Sequence, residues 1–253
     1  MKAIRFAAVS DIHGNVLALE QVMADITRRG ITSVVDLGDH ASGPLWPRET
    51  LDLLMGTDWV HIAGNHDRML AHDAAASLGL SDAHARKHLD ARHLDWLRSL
   101  PPSTVWQDDI LLCHGTPASD MAYLADTIAH GRLRRATPRE LDDRIGGVRA
   151  KVILCGHSHT PRIVHAAQGT VVINPGSVGL QAYHDADGQP HVVECGSPHA
   201  RYAVITIEGD ACSVDHIALP YDHRTAVKQA KKNGRPEWAA GLETGYMTAH
   251  AEG

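Results

Sequence analysis

The sequence contains no long apolar run, no paired-cysteine spacing and no surplus of basic residues. Each absence removes a class of function. A net charge of −6 and a pI near 6.3 argue against an extended nucleic-acid surface or an anionic-membrane surface, since both need an excess of Lys and Arg. Any phosphate binding must therefore be local. In the opening MKAIRFAAVSD the apolar residues are broken by Arg5 and closed by Asp11. That stretch is too short for a signal peptide's apolar core or a membrane span, so it reads as a first strand and no membrane contact is expected. Cys113, Cys155, Cys195 and Cys212 show no C-x-x-C spacing and lie mostly within apolar runs, as free thiols of a reducing cytosol would. A cytoplasmic protein without disulfides or zinc–thiolate sites is expected. There is no G-x-S-x-G or Walker A motif, no internal repeat and no low-complexity linker.

What is present is a chain of 253 residues, 43% hydrophobic, which allows one large domain or two small ones. Short apolar runs alternate with helical patterns in the first half, the signature of α/β architecture. Residues 4–9 read as a strand, and Asn15 caps a helix that carries Leu19, Val22, Met23 and Ile26 on one face until Gly30. Strands are expected at 34–37, 58–62, 103–106 and 109–113, with a helix after Pro47 and a helical region over 68–100 that Pro101-Pro102 ends. Thr137-Pro138-Arg139-Glu140 reads as an N-cap, a first-turn proline and a capping-box glutamate. Further strands are expected at 152–155, 170–173, 201–207 and 211–217.

Polar clusters recur where these strands end. SDIHGN offers Asp11 and His13, LGDHASGP offers Asp39, AGNHD offers Asn65 and His66, CHGTP offers His114, and GHSHTP offers His157 and His159. In an extended stretch the last two imidazoles would face one side. Taken alone, an H-x-H pair in a chain with 19 histidines is more often a polar loop than a site. Together, however, the segments supply two aspartates, an asparagine and four histidines besides His66, and an α/β sheet gathers ligands at its strands' carboxyl ends. Such a mixed oxygen and nitrogen set exceeds one tetrahedral zinc and suits two metals sharing a carboxylate.

In this order, D-x-H, G-D, G-N-H-D, H-G and G-H-x-H resemble the calcineurin-like metallophosphoesterase superfamily over residues 11–159. The stretches GDHASGPLWPRE, NPGSVG and SPHARYA are similar to a bacterial branch of small metallophosphatases and phosphodiesterases, which carries the likeness to about residue 205. The resemblance implies a four-layer αββα sandwich of two mixed β-sheets flanked by helices. On that reading, residues 1–220 form a single domain with helical insertions at about 68–100 and 117–147, and residues 221–253 form a helical or loose tail. It also implies that Asp11, His13 and His159 hold one metal, that Asn65, His114 and His157 hold the other, and that Asp39 bridges them. His66 matches the histidine that assists the phosphate and leaving group. Ser42 and Gly43 stand where the G-D-x-x-D-R-G branches carry aspartate and arginine, so His66 lacks its usual carboxylate partner, and protein phosphatase and diadenosine-polyphosphatase readings are disfavoured.

His40 and Arg68 are candidate substrate contacts; Trp46 reads as core packing, and Asp67 as the residue that fixes the G-N-H turn. Residues 132–139 and the cluster Lys228, Lys231, Lys232 and Arg235 read as solvated faces, and residues 174–179 as a structural turn behind the site. The function implied is a dinuclear phosphoester hydrolase, a phosphodiesterase first, using Mn, Fe, Ni or Zn ions to activate a shared water for in-line attack on a small phosphoester, nucleotides included. A phosphomonoesterase is the alternative, and a non-catalytic scaffold like one retromer subunit the distant one. Nothing in the sequence sets the oligomeric state.

Overall fold

The computed structural model describes residues 3–186 and 188–247. Two five-stranded sheets face each other. In the first, β1 (Ile4–Val9), β2 (Val34–Asp36) and β3 (Val60–His61) run parallel, and β1 continues antiparallel into β13 (Ala200–Glu208) and β14 (Ala211–Leu219). In the second, β5 (Ile110–Cys113), β8 (Val152–Leu154) and β10 (Val171–Asn174) are parallel, edged antiparallel by β4 (Ser103–Trp106) and β9 (Arg162–His165).

Alternation along each strand explains the layering. Phe6, Ala8, Val35 and Leu37 point inward against Ile110, Leu112, Val152 and Leu154, filling the space between the sheets. Their neighbours Ala7, Val9 and Val34 point the other way, onto helices α1 (Val16–Arg28), α2 (Pro47–Leu54), α7 (His223–Lys232) and α8 (Pro236–Thr244). On the far face Leu111, Ile153 and Val172 bury Leu141 and Ile145 of α6 (Pro138–Ile145). Each buried Leu or Ile stabilises by roughly 1.5–3 kcal/mol relative to exposure. The expected four-layer sandwich is this arrangement.

The expected caps are present: Asn15 Oδ1 accepts from Ala18 N, and Thr137 with Glu140 forms the capping box of α6. The 68–100 region holds the end of α3 (Asn65–His72), a short 3₁₀ turn, α4 (Leu80–His88) and α5 (Ala91–Ser99). Two expectations need correction. The 117–147 insertion is not wholly helical, because it opens with a hairpin, β6 (Asp126–Ala129) and β7 (Arg132–Arg135), which joins β11 (Ala182–Asp185) and β12 (His191–Glu194) in a third sheet. Arg132 and Arg134 therefore lie on a strand, paired with Glu194 and Glu140. The C-terminal tail, expected to be helical or loose, forms the packed helices α7 and α8, with Trp238 and Leu242 in the main core; what needs correction there is Arg235, expected on a solvated face and only 15% exposed. The tail's last residues, 248–253, lie outside the described residues.

Candidate metal centre

Five parallel strands of the two facing sheets end at one edge, and every expected ligand follows such an end. Asp11 and His13 follow β1, Asp39 follows β2, Asn65 follows β3, His114 follows β5, and His157 with His159 follow β8. The loops turn sharply there. Asp11 (φ 56°), His13 (φ 52°), Asp39 (φ 60°), His157 (φ 66°) and His159 (φ 54°) all adopt left-handed backbone, which costs a non-glycine residue on the order of 1–2 kcal/mol. Interlocked hydrogen bonds hold these conformations, among them Asp11 N to Gly38 O at 2.9 Å and His13 N to Asp39 O at 2.9 Å. The 174–179 turn clamps the same loops: Ser177 Oγ donates to Asp11 O at 2.8 Å, and Asn174 Nδ2 to Gly156 O at 2.6 Å. A side chain at Gly179 would start 1.7 Å from Ile12 O, so only glycine lets this clamp close. His157 and His159 thus reach the site through left-handed turns, not along the extended stretch that their spacing suggested.

Ligand atoms gather in two groups. Those of Asp11, His13 and His159 lie within 4.8 Å of one another, as do those of Asp39, His114 and His157. Asp39 Oδ2 stands between the groups, 3.2 Å from His114 Nε2 and 3.8 Å from His13 Nε2. Asn65 is buried, and its Oδ1 has no hydrogen-bond partner.

The outer nitrogens of the rings are committed to backbone. Nδ1 of His13 donates to Ser42 O (2.8 Å), Nδ1 of His114 to Leu37 O (2.7 Å), Nδ1 of His159 to Leu180 O (2.7 Å), and Nε2 of His157 to Met121 O (3.1 Å). A carbonyl can only accept, so each bond fixes the proton on the outer nitrogen and aims the other nitrogen into the site. Nε2 of His13 and Nε2 of His159, the inner nitrogens, approach each other at 3.1 Å, an arrangement in which two lone pairs can meet at one cation. Burial, with His159 beside it, pushes His13 down to about 4; burial, with His114 beside it, pushes His157 down to about 3, so both are neutral and able to ligate. Burial would also lower His114, but the Asp39 and Asp11 carboxylates override it and lift the ring to about 10, so this ring must shed a proton to ligate. Orphaned Asn65 Oδ1, the close inner nitrogens of His13 and His159 and a thiolate-free set of oxygen and nitrogen donors fit two divalent or transition cations.

His66 stands beside this group, its backbone N donating to Asp39 Oδ1 at 2.9 Å. The Asp67 carboxylate accepts from Asp39 N (2.7 Å), Gly64 N (2.8 Å) and His40 N (3.0 Å), so it ties the G-N-H-D turn to the Asp39 loop.

Residues 4–195 match the calcineurin-like phosphoesterase superfamily domain, about three quarters of the chain. The chain belongs to that superfamily. An uncharacterised protein of Methanocaldococcus jannaschii is 26% identical over 243 residues, covering 92% of this chain and 94% of its own. The fold is shared with a metallophosphoesterase from Sphaerobacter thermophilus (TM-score 0.72, 23% identity, 95% of this chain and 98% of that one). It is also shared with a protein provisionally assigned as a diadenosine tetraphosphatase (TM-score 0.51, 17% identity, 85% and 94% covered). This phosphoesterase is accordingly a hydrolase of phosphoric esters. Among the described residues no helix is long and apolar enough to cross a membrane.

Two expected substrate contacts of the phosphoesterase do not stand. His40 is fully buried, with Nε2 3.0 Å from Asp36 Oδ2 and Nδ1 2.8 Å from Asp67 Oδ2, and has no face on the cavity. Arg68 spends its guanidinium on Asp120, Nε to Oδ2 at 2.6 Å and Nη2 to Oδ1 at 3.2 Å, and does not line the cavity either. Trp46 packs on the core as expected.

The cavity measures about 1010 Å³ and opens over His13, Asp39, Asn65, His66, His157 and His159. Residues remote in sequence complete it, and none carried a local signal. Tyr123 and Tyr183 join hydroxyls at 2.8 Å and lie against the His157 and His159 rings, with ring centroids at 4.8 and 4.6 Å. Trp238 of α8 meets the His13 ring edge-on at 5.9 Å. Asp82, in the first turn of α4, reaches His66.

Proposed function

We propose that this phosphoesterase is a dinuclear phosphodiesterase. In this reading Asp11, His13 and His159 hold one cation, Asn65, His114 and His157 hold the second, and Asp39 is shared. When bound, the two cations supply Lewis-acid charge and an activated water for in-line attack on phosphorus. The chain's residues do the rest: the committed outer nitrogens keep the ligand rings in one orientation, Asp67 fixes Asp39 against the G-N-H-D turn, and His66 delivers a proton to the departing oxygen.

The charge and size of the cavity carry the diester reading. Arg235 is the one arginine or lysine among the described lining residues, and its guanidinium is paired with Glu237. Beyond the two cations and a protonated His66, a phosphomonoester dianion would find no unpaired arginine or lysine among the described lining residues, whereas a diester brings a single negative charge. Met69, Met121, Ile128, Tyr123, Tyr183 and Trp238 offer apolar wall for organic groups on both ester oxygens, a nucleoside included.

The test is kcat/KM for paired mono- and diesters with the same leaving group, measured at confirmed metal content. The diester should be the better substrate. A clear preference for the monoester would replace this reading with a phosphomonoesterase.

A further inference from the structure

The chain lacks an aspartate at position 42, where related branches place the partner of the motif histidine, yet His66 is not left alone. Its Nδ1 lies 2.9 Å from Oδ1 and 3.1 Å from Oδ2 of Asp82. Asp82 is 3% exposed, comes from α4 in the insertion between β3 and β4, and lines the same cavity. We infer that Asp82 is the positioning residue of His66, a carboxylate supplied by a different element from the one the sequence motif would use. An ionised carboxylate only accepts, so the bond puts a proton on Nδ1 and leaves Nε2, on the opposite edge of the ring, to serve the cavity.

The element that carries Asp82 is itself held from the C-terminal end of the fold. Arg235, the N-cap of α8, donates through Nη1 to Ser81 Oγ at 3.1 Å, one residue before Asp82. Trp238, one turn further along α8, lies against His13 and against Gly43, where an added Cβ would stand 2.8 Å from the indole. The C-terminal helix pair and α4 therefore close around the histidine together.

The inference rests on the proposed acid role of His66. In that step the water gives up one proton to solvent as its oxygen bonds to phosphorus, the bond from phosphorus to the leaving oxygen breaks with its electron pair on that oxygen, and the Nε2 proton of the doubly protonated His66 moves onto it and is replaced from solvent. Asp82 stays bonded to Nδ1 throughout. Help of this kind matters for a basic alkoxide and little for a nitrophenolate.

The experiment measures His66→Ala, Asp82→Ala, Asp82→Asn and the His66→Ala/Asp82→Ala double variant on phosphodiesters with alkyl and nitrophenyl leaving groups, at confirmed metal content and melting temperature. Asp82→Ala should reproduce the pattern of His66→Ala, losing on the order of 10²-fold on alkyl esters and far less on nitrophenyl esters. The double variant should be no worse than His66→Ala, because two residues acting through one proton do not add. Asp82→Asn keeps an acceptor of the same shape and should fall between wild type and Asp82→Ala; it also stands in if the alanine variant does not fold. An equal loss on every ester in either Asp82 variant, wild-type turnover of alkyl esters, or a loss that adds to that of His66→Ala would overturn the inference while leaving the acid role intact. Equal loss on every ester in His66→Ala alone would remove the acid role, and this inference with it.

Discussion

Among the described residues, histidine and carboxylate ligand atoms come within reach of a shared cation in two places, and only one of them has the lone pairs to take metal. Asp36, His40 and His61 bring ligand atoms within 4.8 Å of one another, as each group of the candidate centre does. They lie only a few residues away in sequence. The difference lies in where the lone pairs go. In the centre the outer nitrogens are used by backbone carbonyls and the inner ones converge on each other beside a cavity. In the Asp36 cluster both nitrogens of His40 meet carboxylates, Asp36 and Asp67, in short contacts bent away from hydrogen-bond geometry, so their attraction is chiefly ionic. Nδ1 of His61 faces Asp36 at 3.1 Å and its Nε2 faces the Thr57 hydroxyl at 3.1 Å, with Trp96 against both rings. That cluster is internally paired and does not line the cavity over the centre. Composition and proximity do not make a metal site; unspent inner lone pairs do.

Breaking each cluster should therefore damage a different property. The largest effect is expected from Asp39→Asn, which weakens both cation positions together: phosphodiester turnover should fall to the level of the chelator-treated wild type, while the fold persists by circular dichroism. Full turnover in that variant, or in thorough chelator, would mean that the centre is not the catalyst. His40→Gln should instead cost stability, roughly 3–5 kcal/mol by urea unfolding, because it leaves two buried carboxylates facing each other without the cation between them. Its metal content should stay at the wild-type value. Loss of metal with unchanged stability would reverse the roles assigned to the two clusters.

Acid should sharpen the contrast with a smaller effect, read in the metal-free protein. His13 and His157 are held at about 4 and about 3, below the ordinary 6.5. As pH falls below 6.5 the unfolded chain gains protons that the folded rings refuse, so stability present at neutral pH is lost between about 6.5 and 4. For His13 this amounts to roughly 3 kcal/mol at most. His40 acts in the opposite sense. Against its burial, the Asp36 and Asp67 carboxylates hold it well above 6.5, so its contribution is full below 6.5 and is lost as pH rises from there through its own folded pKa. Unfolding midpoints at pH 8 and 5 for wild type and His13→Asn check this: the wild type should lose more on acidification than the variant. An equal loss would show that His13 is not held neutral.

Much of this was legible in the sequence because it is local. β1 and β4 fall on residues 4–9 and 103–106 as their apolar runs suggest, and the Asn15 and Thr137 caps sit one residue before their helices. Every residue of the two ligand groups follows a strand that its own apolar run announces. What stayed hidden depends on distant chain. β9, β11, β12 and the β6–β7 hairpin are short, and all four strands of the third sheet carry polar or charged residues whose partners are distant in the chain or come together only in the fold. His40 follows Asp39 in sequence but turns away from the cavity, because Asp36 and Asp67 offer it two carboxylates in the core. Asp82 looks like any acidic residue in a helix's first turn, and only the packing of α3 against α4 brings it to His66.

The most direct test of the central claim is anomalous diffraction from crystals grown with Mn²⁺. The account predicts two peaks about 3.5–4 Å apart, one among Asp11, His13 and His159 and the other among Asn65, His114 and His157, with Asp39 between them and no peak at Asp36, His40 and His61. A single peak, or any peak in the Asp36 cluster, would contradict it.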